Sequence, residues 1–180
     1  YTFIDCINLK KIDFPEMRKV MTGSFHNCTS LEEVKLENLE ALGERAFCGC
    51  TKLKKIELPR IKYLGINVEE GEDEKWWYDG DAFVGCNSLE TVVLGNSLMY
   101  TDEHYLFEGC NSLKDVYCYA TNPPMYRYDS DWDIRQFIGD FVLHVPASSI
   151  EAYKETAWGK IMQSHNGGTD YVGERTIVAI

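Results

Sequence analysis

Apolar positions recur along this chain in a fixed frame, whose clearest copy is Ala46 to Pro59, AFCGCTKLKKIELP. A Phe is followed three residues later by a Cys, then at the same interval by a Leu and by a β-branched residue, with one more apolar position two further on. The frame occurs five times: Phe3–Cys6–Leu9–Ile12–Phe14, Phe25–Cys28–Leu31–Val34–Leu36, Phe47–Cys50–Leu53–Ile56–Leu58, Phe83–Cys86–Leu89–Val92–Leu94 and Phe107–Cys110–Leu113–Val116–Cys118. Its last part alternates inward and outward positions, so Ile56 and Leu58 face a core while Lys55 and Glu57 face water on a short strand. A strand this short is not stable alone, and stacking the copies pairs their strands into a parallel sheet over one apolar column. Two residues after each Phe stand Asp5, Asn27, Gly49, Gly85 and Gly109. These types tolerate a left-handed backbone, which predicts a tight turn at that point of every coil. Pro15 and Pro59 close two of the strands, where a missing N–H does least harm.

The cysteines of the frame are 22, 22, 36 and 24 residues apart, so one interval carries an insertion. A period of 20–29 residues with a Leu-x-x-β-branched-x-apolar core predicts a leucine-rich-repeat solenoid. We expect a right-handed coil with one short parallel strand per repeat, an irregular or 3-10 convex side, and a C-terminal strand/helix cap. The domain reading is five repeats over residues 1–120, with the insertion at about 66–81, and a cap over 121–180. The segments AFCGCTKLKKIELP, DAFVGCNSLETVVL and LFEGCNSLKDVYC resemble the BspA-type leucine-rich repeats of bacterial cell-surface proteins. Asn122-Pro123-Pro124 and the later LHVPASSIEAYKETAWGKI, ending at Ile161, resemble the C-terminal end common in such proteins from anaerobic bacteria. The resemblance implies a secreted or surface-anchored binding scaffold, without implying one ligand.

Composition narrows the partners. The chain has 180 residues, 44% of them hydrophobic, enough for one domain with a substantial buried column. There is no apolar run long enough to span a membrane. No charged-plus-apolar leader is present, and Tyr1 falls inside the first repeat, which reads as a precursor whose signal segment is absent here. A net charge of −11 argues against a nucleic-acid partner, which needs a positive face.

Five of the seven cysteines, Cys6, Cys28, Cys50, Cys86 and Cys110, share one repeat position. Each is expected to fill a tight inner corner and donate its thiol to a neighbouring carbonyl. Cys118 takes a strand position and should be buried, while Cys48 should be partly exposed. The Cys48-Gly-Cys50 pair has the look of a redox or metal motif, but Cys50 is accounted for by the repeat. No second pair or nearby His completes a zinc set. Free thiols are unusual in secreted proteins, and the anaerobic habitat implied by the resemblance would reconcile the two.

The outward strand positions form two columns, Lys11–Glu33–Lys55 and Asp13–Lys35–Glu57, in which signs alternate both along and across strands. This reads as an ion-pair ladder that fixes register and keeps the sheet solvated, rather than as a binding face. The columns continue as Thr91–Asp115 and Val93–Tyr117, and the second half is rich in aromatics. A binding site on the sheet is therefore expected around Val93 and Tyr117. The insertion VEEGEDEKWWYDGD carries seven acids, one Lys and the adjacent Trp76, Trp77 and Tyr78. A repeat insertion maps to a loop. Its two Trp either pack back as a plug or contact a ligand.

Asp129-Ser-Asp131-Trp-Asp133 with Asp140 resembles the spacing of a calcium loop. Its sixth position is Ile134 rather than Gly and its twelfth is Asp rather than Glu, so it reads as an acidic surface loop. Beyond Pro124, Phe141 to Val145 predicts a further strand, Ser148-x-x-Glu151 a capping box opening a short helix to about Thr156, and Thr176 to Ile180 a last strand.

His26, His104, His144 and His165 are scattered, and no nucleophile elbow, P-loop or dinucleotide fingerprint occurs. The acids lie in solvated loops or alternating ladders, whereas a catalytic carboxyl pair needs one member in an apolar pocket. The reading is a non-catalytic binding scaffold, without cofactor or metal, mediating protein–protein interaction or adhesion with a host or bacterial surface protein. An alternative is carbohydrate binding, with Trp76, Trp77, Tyr78 or Trp132 stacking on sugar rings and Asp79 or Asp81 accepting hydroxyls. A second alternative is a structural spacer.

Overall fold

The computed structural model describes residues 2–66, 80–101, 105–126, 139–165 and 168–180. Each repeat contributes two strands. The first three coils give β1 (Lys11–Asp13) and β2 (Lys19–Val20), β3 (Glu33–Lys35) and β4 (Ala41–Leu42), then β5 (Lys55–Leu58) and β6 (Tyr63–Leu64). After the insertion come β7 (Thr91–Leu94), β8 (Tyr100–Thr101), β9 (Asp115–Cys118) and β10 (Met125–Tyr126). The strands ending in the β-branched-x-apolar motif line one broad face as two sheets: β1 pairs with β3 in a two-stranded sheet, and β5, β7 and β9 pair in parallel register within a separate five-stranded sheet. The two-residue strands form a second face, a parallel sheet in the order β10-β8-β6-β4-β2.

The second face is a departure from the irregular or 3-10 side that the sequence pattern predicts. Between the two faces the turn after each Phe is also bonded from coil to coil. Phe3, Phe25 and Phe47 donate their amides to the carbonyls of Ser24, Ala46 and Ala82 at 2.8–2.9 Å. Asp5, Asn27, Gly49 and Gly85 donate to His26, Cys48, Val84 and Glu108 at 2.7–2.8 Å. Buried backbone groups must find partners, and stacking identical coils supplies them on every side rather than on one. The turn residues adopt the left-handed backbone expected of them, with φ of 56° at Asp5 and Asn27 and 73–74° at Gly49, Gly85 and Gly109.

Inside the coils the frame becomes two ladders. Phe3, Phe25, Phe47, Phe83 and Phe107 stack face to face at 5.2–6.0 Å, and the insertion between Phe47 and Phe83 does not interrupt the stack. Beside them each thiol donates to the Phe carbonyl of the coil before: Cys28 to Phe3 and Cys50 to Phe25 at 3.2 Å, Cys86 to Phe47 and Cys110 to Phe83 at 3.1 Å. Burial raises the pKa of these four thiols, that of Cys110 to about 12, so they stay protonated donors. Cys48 is half-buried and Cys118 buried, and all seven cysteines are free.

The chain then leaves the frame. β11 (Val142–Val145) adds to β9 in parallel, and β14 (Ile177–Ala179) adds to β11. Between them lie a 3-10 turn at Ala147–Ser149, the short helix α1 (Ile150–Lys154), a second 3-10 turn at Ala157–Gly159, and an antiparallel hairpin of β12 (Lys160–His165) and β13 (Gly168–Glu174). The hairpin was not foreseen from the sequence. The helix forms without the expected capping box: neither helical start has a side-chain cap, and Ser149 donates its hydroxyl to the Thr121 carbonyl at 2.7 Å instead. Tyr153 and Trp158 are fully buried against each other, and the Tyr153 hydroxyl donates to the Ala120 carbonyl at 3.0 Å.

Arg175 ties this region together. It is 4% exposed, and its guanidinium donates to the carbonyls of Trp158, Gly139, Phe141 and Lys160 while lying 3.6 Å from the centre of the Phe141 ring. Burial pulls its pKa down to about 10, which leaves it a cation at neutral pH.

Candidate binding face

The outward positions of the broad face run in two registered columns. Lys11 sits opposite Glu33, Asp13 opposite Lys35, Lys55 opposite Thr91, Glu57 opposite Val93, Thr91 opposite Asp115, and Val93 opposite Tyr117. In the first coils the charges pair as alternation predicts: Lys11 bonds Glu33 at 3.0 Å, Lys35 lies 3.7 Å from Glu33, and Lys55 pairs with Glu57 on its own strand. The Lys11 bond holds the Glu33 carboxyl below its ordinary pKa. These side chains are about half exposed, so solvent screens each pair and its contribution to stability is small.

From β7 onward the face changes chemistry. Val93 and Tyr117 are neighbours in one column, as the sequence places them, and the column continues into residues that were not singled out. β11 brings His144 opposite Tyr117, and β14 brings Val178 opposite His144. The Tyr117 and His144 rings stack at 4.1 Å with their planes 10° apart. His144 Nε2 lies 2.8 Å from Asp115 Oδ1. An ionised carboxylate only accepts, so Nε2 carries the proton and donates, which fixes the ring's tautomer and orientation. The signal for His144 was present in the sequence. Aligning Leu143–Val145 with Val116–Cys118 puts His144 beside Tyr117, but Phe141–Val145 lacks the Cys and Leu positions that reveal the earlier copies.

Trp76, Trp77, Tyr78, Asp79 and Trp132 lie outside the described residues, as does all of the calcium-like segment except Gly139 and Asp140. Asp81, expected as a sugar-hydroxyl acceptor, is 9% exposed, and its Oδ2 accepts from Arg45 Nε at 3.3 Å. Burial and that pairing turn it inward. Among the described residues no group of His, Cys, Asp and Glu is placed to hold a metal ion, and no helix is long and apolar enough to cross a membrane.

The repeat frame decides the relationship. A family model described as "BspA type Leucine rich repeat region" matches residues 1–68 and 78–125 in six copies. The chain belongs to this family. The matched residues take in β1 to β9, the Phe stack and the thiol ladder, whereas β11, α1 and β14 of this BspA-type chain lie beyond them. No curated protein matches the chain.

Proposed function

We propose that this chain is a non-catalytic binding scaffold of the bacterial surface or secreted space, a right-handed coil closed by its C-terminal elements. A protein partner docks on the column Val93–Tyr117–His144. The observation that carries the reading is the change of chemistry along one face of the coil. Charges with opposite neighbours give way to a stacked aromatic pair, flanked by valines and one carboxylate bonded to the histidine. Rings held by registered strands contact a partner without losing side-chain freedom on binding, which favours such residues at interfaces. The family supports a repeat scaffold for protein interaction, and the particular partner is argued from the face alone.

The test is a binding screen of the intact chain against host matrix proteins, bacterial surface proteins and a glycan panel, repeated with Tyr117→Ala/His144→Ala. The expected result is a protein ligand whose affinity falls at least tenfold in the double variant. Unchanged affinity for that ligand would remove the column from the site. A glycan ligand lost only in Trp76→Ala/Trp77→Ala would move the site to the insertion.

A further inference from the structure

The five-stranded sheet ends differently at its two sides. On the first side, β5 points Lys55 and Glu57 outward, and the two form an ion pair. Charged side chains on an edge strand disfavour the addition of another strand. On the other side β14 reads Ile177-Val178-Ala179, followed by Ile180, with Val178 40% and Ile180 44% exposed. None of these four residues has a charged side chain.

The ladder also defines which backbone groups of β14 are open. Leu143 donates its amide to the Thr176 carbonyl, and Ile180 donates to the Val145 carbonyl, both at 2.9 Å. In a parallel ladder alternate residues bond to the same neighbour. Thr176, Val178 and Ile180 therefore face β11, while the N–H and C=O groups of Ile177 and Ala179 point away from it. Among the described residues no backbone bond reaches those four groups.

We propose that β14 accepts an extended strand from the protein partner, added in parallel to the open edge. This inference rests on the reading of the Tyr117–His144 column as the docking face, and it supplies the partner's conformation. Two donors and two acceptors at strand spacing are complementary to an extended backbone. The added strand's outward residue would lie beside Val178 and prolong the column Val93–Tyr117–His144–Val178. Its inward residues would cover Ile177 and Ala179, so the fitting strand is apolar on both faces there. The protein already makes this pairing between β5 and β7 and between β7 and β9.

The probe is a capped synthetic peptide of residues 88–95, SLETVVLG, which contains β7. Amide exchange is followed by NMR on the intact chain. Without peptide, the Val178 and Ile180 amides should be protected and those of Ile177 and Ala179 should exchange freely. Millimolar peptide should slow Ile177 and Ala179 at least tenfold and shift the Val178 and His144 resonances. Ala179→Pro removes an outward N–H and should abolish the effect with unfolding unchanged; Ala179→Lys, which keeps the backbone intact, should weaken it. Protection of Ile177 and Ala179 before peptide is added, by a second copy or by the chain itself, would overturn the proposal. So would amides that stay unprotected at millimolar peptide. The docking-face reading fails separately, when the double variant at Tyr117 and His144 leaves partner affinity unchanged.

Discussion

Gly49 and Gly85 occupy the same turn of successive coils with nearly the same φ, yet they face different neighbours. A Cβ at Gly49 would stand 2.3 Å from Asn27 Oδ1, whereas one at Gly85 would find its nearest atom, Gly49 N, at 3.8 Å. Gly85→Ala therefore measures the left-handed backbone alone, at about 1–2 kcal/mol. Gly49→Ala must also displace the Asn27 side chain, which donates to Asp5 Oδ1 at 3.0 Å, adding about 1 kcal/mol for that bond. Urea unfolding of both variants should show Gly49→Ala as the less stable. Equal losses would mean that Asn27 moves aside without cost. The left-handed positions were legible in the sequence because Asp, Asn and Gly are the residues that tolerate them. The spacing of five copies did not disclose that Asn27 fills the space above Gly49.

At the scale of elements, Arg175 holds together segments that the repeat does not organise. Its four carbonyl acceptors come from residues 139–141 and from the turn leading into β12. Arg175→Ala leaves these carbonyls short of donors, for a loss on the order of 3–5 kcal/mol. Arg175→Lys should recover little of it, because one ammonium cannot reach acceptors that a planar fork spans. Thermal unfolding is the measure, and a Lys variant as stable as the parent would contradict the assignment. Sequence reading found β11 and β14 from their apolar, β-branched content but passed over Arg175, since a buried arginine has no local pattern. The same limit explains the capping box. Ser148-x-x-Glu151 fits the motif, but Ser148 lies within the 3-10 turn, and Ser149, which takes the N-cap of α1, is drawn to the Thr121 carbonyl, a partner 28 residues away that only the fold provides.

For the whole molecule, the thiol ladder makes stability depend on alkaline pH. Burial raises the pKa of Cys28, Cys50, Cys86, Cys110 and Cys118 in the folded state, that of Cys110 to about 12. An unfolded thiol titrates near ~8.5. Below that pH both states are protonated and the thiols' stabilising contribution is complete. Above it the unfolded chain loses protons that the folded chain keeps, so stability falls as pH rises, and for Cys110 until about pH 12. The slope approaches ~1.4 kcal/mol per pH unit for Cys110 alone. Urea midpoints in reductant should drop between pH 8 and 10, and Cys110→Ala should flatten the slope by one proton's worth. A midpoint independent of pH would show that the thiols ionise freely in the folded protein.

The coil was legible in the residues alone: its period, the inward Phe, Cys and Leu columns, the left-handed turn and the two strands carrying Val93 and Tyr117. Each of these is a local demand repeated five times, and repetition makes a local demand visible. Only the tertiary structure decided what lies side by side without sharing a period. It paired the two-residue strands into a second face, set Arg175 among four carbonyls, and stacked His144 on Tyr117 with Asp115 bonded to its ring. These contacts join distant segments through strand register and burial. Both are properties of the assembled column rather than of any stretch of chain.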